Sequence, residues 1–324
     1  MSEEALQKKF RFHAVSFAIC FAAALCFAPA AAPQDVSEPP SPPATEQQEA
    51  SKPPSPPAVP VMEADPSAAL LETGFRELYE LNFNGAREQF LTYQKAHPED
   101  ALGKAAEGAT YLFEEFNAKG VLTSEFFLDD DKFLGGVDGS PSQNRNTAFL
   151  IANHRAHDMA KKAVKLNSHD TRALLVLTMT DGLESNYAAM IEKKQLPALS
   201  LMRQAESESN ALLAIDPSAK DAYVALGMSN YVIGCLPGFK RAFLWFGGVH
   251  GDRTRGMQQM KSAAEGGHYF QPFAKILLAL AYEREHETER AHPLLASLTA
   301  QFPTNPIFAH ELALLDKKQT CCKQ

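Results

Sequence analysis

Residues Ala219–Tyr231 read AKDAYVALGMSNY. The stretch opens a helix with a large aromatic, Tyr223; Leu226 and Gly227 follow at helical spacing, and Tyr231 closes the same face. Just upstream, Ala205, Leu212 and Pro217 mark a preceding helix that stops at an Asp-Pro turn. Helix, proline turn, then a helix with an aromatic and a small-residue notch make one supersecondary unit. Its apolar face finds no cover within the unit, so the unit has to stack on copies of itself.

Copies are present. Gly74, Phe83, Ala86, Phe90 and Pro98 repeat the pattern early in the chain, and Leu278, Ala279, Tyr282, Ala291, Leu295, Leu298 and Pro303 repeat it late. Weaker versions run through Ala156, Ala160, Ala163 and Ser168, and through Gly256, Met260, Ala263 and His268. These residues resemble the tetratricopeptide repeat (TPR), a helix pair with a period of about 34 residues. From Tyr223 to Leu315, with its LPG break, aromatic segment and GDRTRG opening, the chain resembles a group of exported bacterial TPR proteins. It is similar, more faintly, to a eukaryotic TPR family of the mitochondrial outer membrane and lipid droplets. What the resemblance implies is a non-catalytic adaptor.

The spacing between unit ends is uneven: 70 residues from Pro98 to Ser168, 49 to Pro217, 51 to His268 and 35 to Pro303. Against the repeat period, the first three intervals carry roughly 36, 15 and 17 extra residues. The expected fold is therefore all-α, a TPR-like α-solenoid of about five antiparallel helix pairs with helical insertions. It should span residues 67–317, with a short closing helix over 307–317 and a disordered basic tail at 318–324.

Residues 1–32 read as an export signal or an N-terminal anchor. Lys8, Lys9 and Arg11 precede an apolar run from Ala14 to Ala28 and then small residues, with cleavage expected after Ala30. Residues 33–66 are proline-rich and poor in large apolar groups, a disordered linker. The expected location is the periplasm or the periplasmic side of a membrane. A net charge of −8 supplies no electrostatic footprint for nucleic acid.

Candidate chemistry is sparse. His154, His157 and Asp158 share a helix face at ligand spacing but lack further ligands, and a solvated face explains them. Asp129, Asp130 and Asp131 lack the glycine and distal glutamate of a calcium loop. His310-Glu311 lacks a second histidine, and neither a nucleophile elbow nor a phosphate loop is present. Cys235 reads as a small apolar group at a helix end. Cys321 and Cys322 read as an inert tail, with linkage between chains or metal binding as the alternative. The chain is expected to be no enzyme, with no cofactor and no metal.

Function is expected on the concave wall formed by the first helix of each pair. The register places Leu71, Phe75 and Tyr79 there, then Ala105, Ala109, Leu112 and Phe113, then Leu175 and Met179. Val224, Met228 and Tyr231 follow, then Ile276, Leu280 and Arg284. Such a wall is too oily to stay bare. Either the insertions cover it, through Phe126-Phe127-Leu128 or Phe243–Phe246, or an apolar or amphipathic segment of a partner protein does. The candidate partner-binding residues are Phe75, Tyr79, Phe113, Met179, Met228, Tyr231 and Trp245. The alternative is contact with a membrane surface or lipid through the aromatic and basic segment 236–246.

Overall fold

The computed structural model describes residues 67–236 and 250–321. Thirteen helices and no strand occur among them, and the helices form five antiparallel pairs. Helix α1 (Ala68–Tyr79) packs on α2 (Phe83–Ala96), and α3 (Leu102–Ala118) on α6 (Gln143–Leu166). Helix α7 (Thr171–Asn186) packs on α8 (Gln195–Ile215), α9 (Tyr223–Cys235) on α10 (Arg253–Gly266), and α11 (Gln271–Arg284) on α12 (Thr288–Gln301). The closing helix α13 runs from Pro306 to Cys321, past the expected end at 317, and lies on α12.

Local chemistry sets these boundaries. Helix α1 buries Leu71, Gly74, Phe75 and Leu78, the three-and-four spacing of one helix face. Asn82, Ser142, Asp170 and Asp252 each accept a hydrogen bond from a backbone N–H in the first turn of the following helix. Helix α2 stops one residue short of His97-Pro98, and α8 stops at the residue before Asp216-Pro217.

Pairs are tight where glycine removes a side chain. A Cβ on Gly74 would lie 2.4 Å from the Phe90 ring, and one on Gly227 would lie 2.8 Å from the Met260 nitrogen. At Gly74 a larger residue would have to displace the Phe90 ring, and at Gly227 it would meet the backbone of α10.

The three long intervals are built differently. Residues 119–142 form a separate element between α3 and α6, carrying α4 (Ser124–Leu128) and α5 (Asp130–Gly135). The extra residues of the third pair instead extend its helices: α7 continues through a π-turn at Tyr187–Ile191, and α8 is 21 residues long. Pro197 sits in the first turn of α8, where its missing N–H leaves no bond unmade. The third interval, 237–249, lies outside the described residues, as do 1–66.

The stack curls until its ends meet. Tyr79 Oη donates to the Tyr269 carbonyl at 3.0 Å, and Asn305 Nδ2 donates to the Tyr79 carbonyl at 2.8 Å. The Phe75 ring lies 4.9 Å from that of Tyr269, and Tyr79 lies 5.5 Å from Phe302. Glu72 also pairs with His268. Asp221, between the third and fourth pairs, holds the meeting point: its carboxylate accepts from the amides of His268, Tyr269 and Phe270 at 2.8, 3.0 and 3.1 Å. Burial pushes this carboxyl up, against the pull of the three amides.

Candidate functional site

Because the ends meet, side chains from all five pairs border one common space. The cavity has a volume of about 280 Å³. Every pair contributes through its first helix: Phe75 and Tyr79 from α1, Ala109 and Phe113 from α3, Met179 and Gly182 from α7. Val224 and Met228 come from α9, and Phe273, Ile276 and Leu280 from α11. Phe113 and Phe273 meet edge-on with ring centres 5.8 Å apart, joining the second pair to the fifth.

The insertion 119–142 forms part of the wall. Phe126 is buried, while Phe127 and Phe133 line the cavity. Three contacts hold it there. Ser124 donates its amide and hydroxyl to Glu311 at 3.2 and 2.5 Å. Arg284 donates to the Phe127 carbonyl at 3.0 Å and pairs with Asp130. At the far end of the insertion, the fully buried carboxylate of Glu115 accepts from the Ser142 amide at 3.1 Å and from Arg145 Nε at 2.6 Å. The insertion covers the wall without filling the space behind it.

Several polar groups on the wall are already engaged. Tyr79 and Asn305 serve the closure, Asp221 holds three amides, Lys318 reaches Glu283 at 3.0 Å, and Glu311 holds Ser124. Burial, with Asp221 nearby, raises the Tyr79 phenol and keeps it a neutral donor. Ser229 also borders the cavity, and its buried hydroxyl has no hydrogen-bond partner among the described residues. Among the described residues that line the space, none is Lys, Arg or His.

Of the candidate contact residues, Phe75, Tyr79, Phe113, Met179 and Met228 line this one cavity. Tyr231 does not: its ring is buried toward α11, with its hydroxyl 3.3 Å from the Ala281 carbonyl and 3.2 Å from Glu285. Leu71, Ala105 and Leu112 are buried away from the space, and Arg284 braces the insertion. Trp245 and Phe243–Phe246 lie outside the described residues, as does the 236–246 segment beyond Leu236. Gly182 and the Ser124–Glu311 tie escaped the sequence reading. A glycine in the middle of TRALLVLTMTDGLESN was a visible signal for the first; nothing local could signal the second, whose partners are 187 residues apart.

The remaining candidates have structural partners. His154 Nε2 lies 3.2 Å from Glu184, and His157 Nε2 lies 3.4 Å from buried Asp181. Asp129 caps α5, accepting from the amides of Asp131 and Lys132 at 3.0 and 3.1 Å. Among the described residues no group of three or more potential ligands is placed to hold a metal ion. Cys235 ends α9, half-buried, its thiol pushed up by burial.

No protein-family model matches the chain, and no curated protein matches it. Among solved structures it is similar to a thermophilic TPR protein of Thermus thermophilus. That likeness covers 77% of this chain and 98% of the other, at 15% identity and a TM-score of 0.41. So remote a likeness adds nothing to the description above, which rests on the chain's own helix pairs.

Proposed function

We propose that this chain is a non-catalytic binding module of the cell envelope, exported by its N-terminal segment, that takes an apolar group of a partner protein into its inner cavity. One observation carries the reading: the first helices of all five pairs converge on one apolar space that the described residues leave unfilled.

The cavity's own methionines supply the test. Met179, Met190, Met202 and Met228 line the space, whereas Met159 and Met257 do not. Photo-methionine incorporated in living cells should form adducts with a specific envelope protein at the first four positions and not at the last two. Adducts spread evenly over all six, or none at all, would overturn the proposal.

A further inference from the structure

The cavity's size, charge and one unexplained glycine specify what kind of apolar group enters. Gly182 lies in the middle of α7 and lines the space, and a Cβ built on it would meet nothing within 4 Å. Gly74 and Gly227 exist because a neighbouring helix occupies the place of their side chains. No neighbour among the described residues requires Gly182, although glycine inside a helix is about 1 kcal/mol worse than alanine. Its effect is to keep cavity space clear.

The space measures about 280 Å³. An apolar cavity of about 150 Å³ already takes a benzene ring, so this one suits something longer but still slender. Charge excludes a buried anion: Asp221, Glu283 and Glu311 line the space with no Lys, Arg or His among the described lining residues. A cation would have to displace Lys318 from Glu283 or the amides from Asp221.

Resting on the reading of this cavity as the binding surface, we propose that it holds a single uncharged alkyl chain, and that Gly182 keeps the path of that chain open. The chain belongs either to a free amphiphile or to an acyl group on a lipid-modified partner.

Calorimetry of the full chain with straight-chain alkanols, hexanol to dodecanol, tests this. Affinity should rise about fourfold per added methylene, the equivalent of about 0.8 kcal/mol per buried CH₂, and level off once the space is full. Decanoate above its pKa should bind at least about tenfold more weakly than decanol, because its charge finds no partner inside. Gly182→Leu should abolish binding while leaving the far-ultraviolet spectrum and a cooperative melt intact, and Gly182→Ala should still bind. Affinity that does not grow with chain length, or unchanged binding by folded Gly182→Leu, would overturn the proposal.

A decanoyl-capped peptide that displaces decanol, where the uncapped peptide fails, assigns the acyl group of a modified partner. Failure of both peptides assigns the free amphiphile. Photo-methionine adducts without alkanol binding would leave the partner reading standing and the alkyl chain refuted; loss of both would remove both.

Discussion

Replacing glycine by alanine at two positions should shift stability in opposite directions. Gly227 and Gly182 both lie inside helices, on α9 and α7, so each gains about 1 kcal/mol of helix propensity from a methyl group. At Gly227 that methyl would sit 2.6 Å from Met260 Cγ, 2.8 Å from the Met260 nitrogen and 3.0 Å from the Gly256 carbonyl oxygen. The last two are backbone atoms of α10 and have no rotamer to escape into. The helices must separate, at the about 1–3 kcal/mol typical of overpacking. Separation also loosens Gly256, whose own Cβ position lies 2.6 Å from the Tyr231 nitrogen. Set against the propensity gain, the net loss is about 1 kcal/mol, which lowers the melting temperature by about 2–4 °C in a domain of this size. Gly182→Ala meets nothing, so the propensity gain stands and the melting temperature rises by about 2–4 °C. Thermal unfolding followed by circular dichroism, with urea titration as a second measure, reads both. A stabilised Gly227→Ala would refute the close α9–α10 crossing, and a destabilised Gly182→Ala would refute the open space beside α7.

Two further expectations concern the insertion and a buried carboxyl. Arg284→Ala removes the bond to the Phe127 carbonyl and the pair with Asp130. If these are worth about 1.4 kcal/mol together, trypsin should cut after Lys132 about tenfold faster; an unchanged rate would mean that Arg284 does not hold the insertion. Burial, then Glu208 and Glu184, raise the Asp181 carboxyl to about 7, while Lys161 opposes them. The folded state therefore keeps a proton that the unfolded chain releases near pH 4, and the associated stability, complete below about pH 4, is lost as pH rises through about 7. The gap in urea midpoint between Asp181→Asn and the parent should widen in favour of the variant from about pH 4 to about pH 8. Two parallel curves would count against the buried, protonated carboxyl.

The helix pairs were legible because each depends on residues close in sequence. Gly74 and Phe90, or Gly227 and Met260, announce a tight crossing within one repeat, and Pro98, Pro217 and Pro303 announce where the helices stop. Curvature was not legible. It sums small rotations over five pairs, and the contacts that close it, such as Tyr79 with Tyr269, join residues 190 apart. The extra length of the third pair misled for a related reason: a count of residues between unit ends cannot distinguish an inserted element from longer helices.

The inner wall was legible to within one helical step. Phe75, Phe113, Met179 and Met228 carry bulky groups at the positions that converge, so their register is clear. Tyr231 lies three residues beyond Met228, nearly on the same face, yet the Ala281 carbonyl and Glu285 draw its hydroxyl toward α11. A period read from one chain does not reveal which side of the stripe has a hydrogen-bond acceptor waiting.

Closure of the stack around one shared apolar space is the premise of both proposals, and nuclear Overhauser contacts in the full chain, with phenylalanine and tyrosine selectively labelled, test it most directly. The Phe75 and Tyr269 rings, 4.9 Å apart, should show cross-peaks, with weaker ones between Tyr79 and Phe302 at 5.5 Å. Their absence, with the Phe75 to Phe90 contact at 5.3 Å inside the first pair still present, would mean an open solenoid whose inner wall faces solvent.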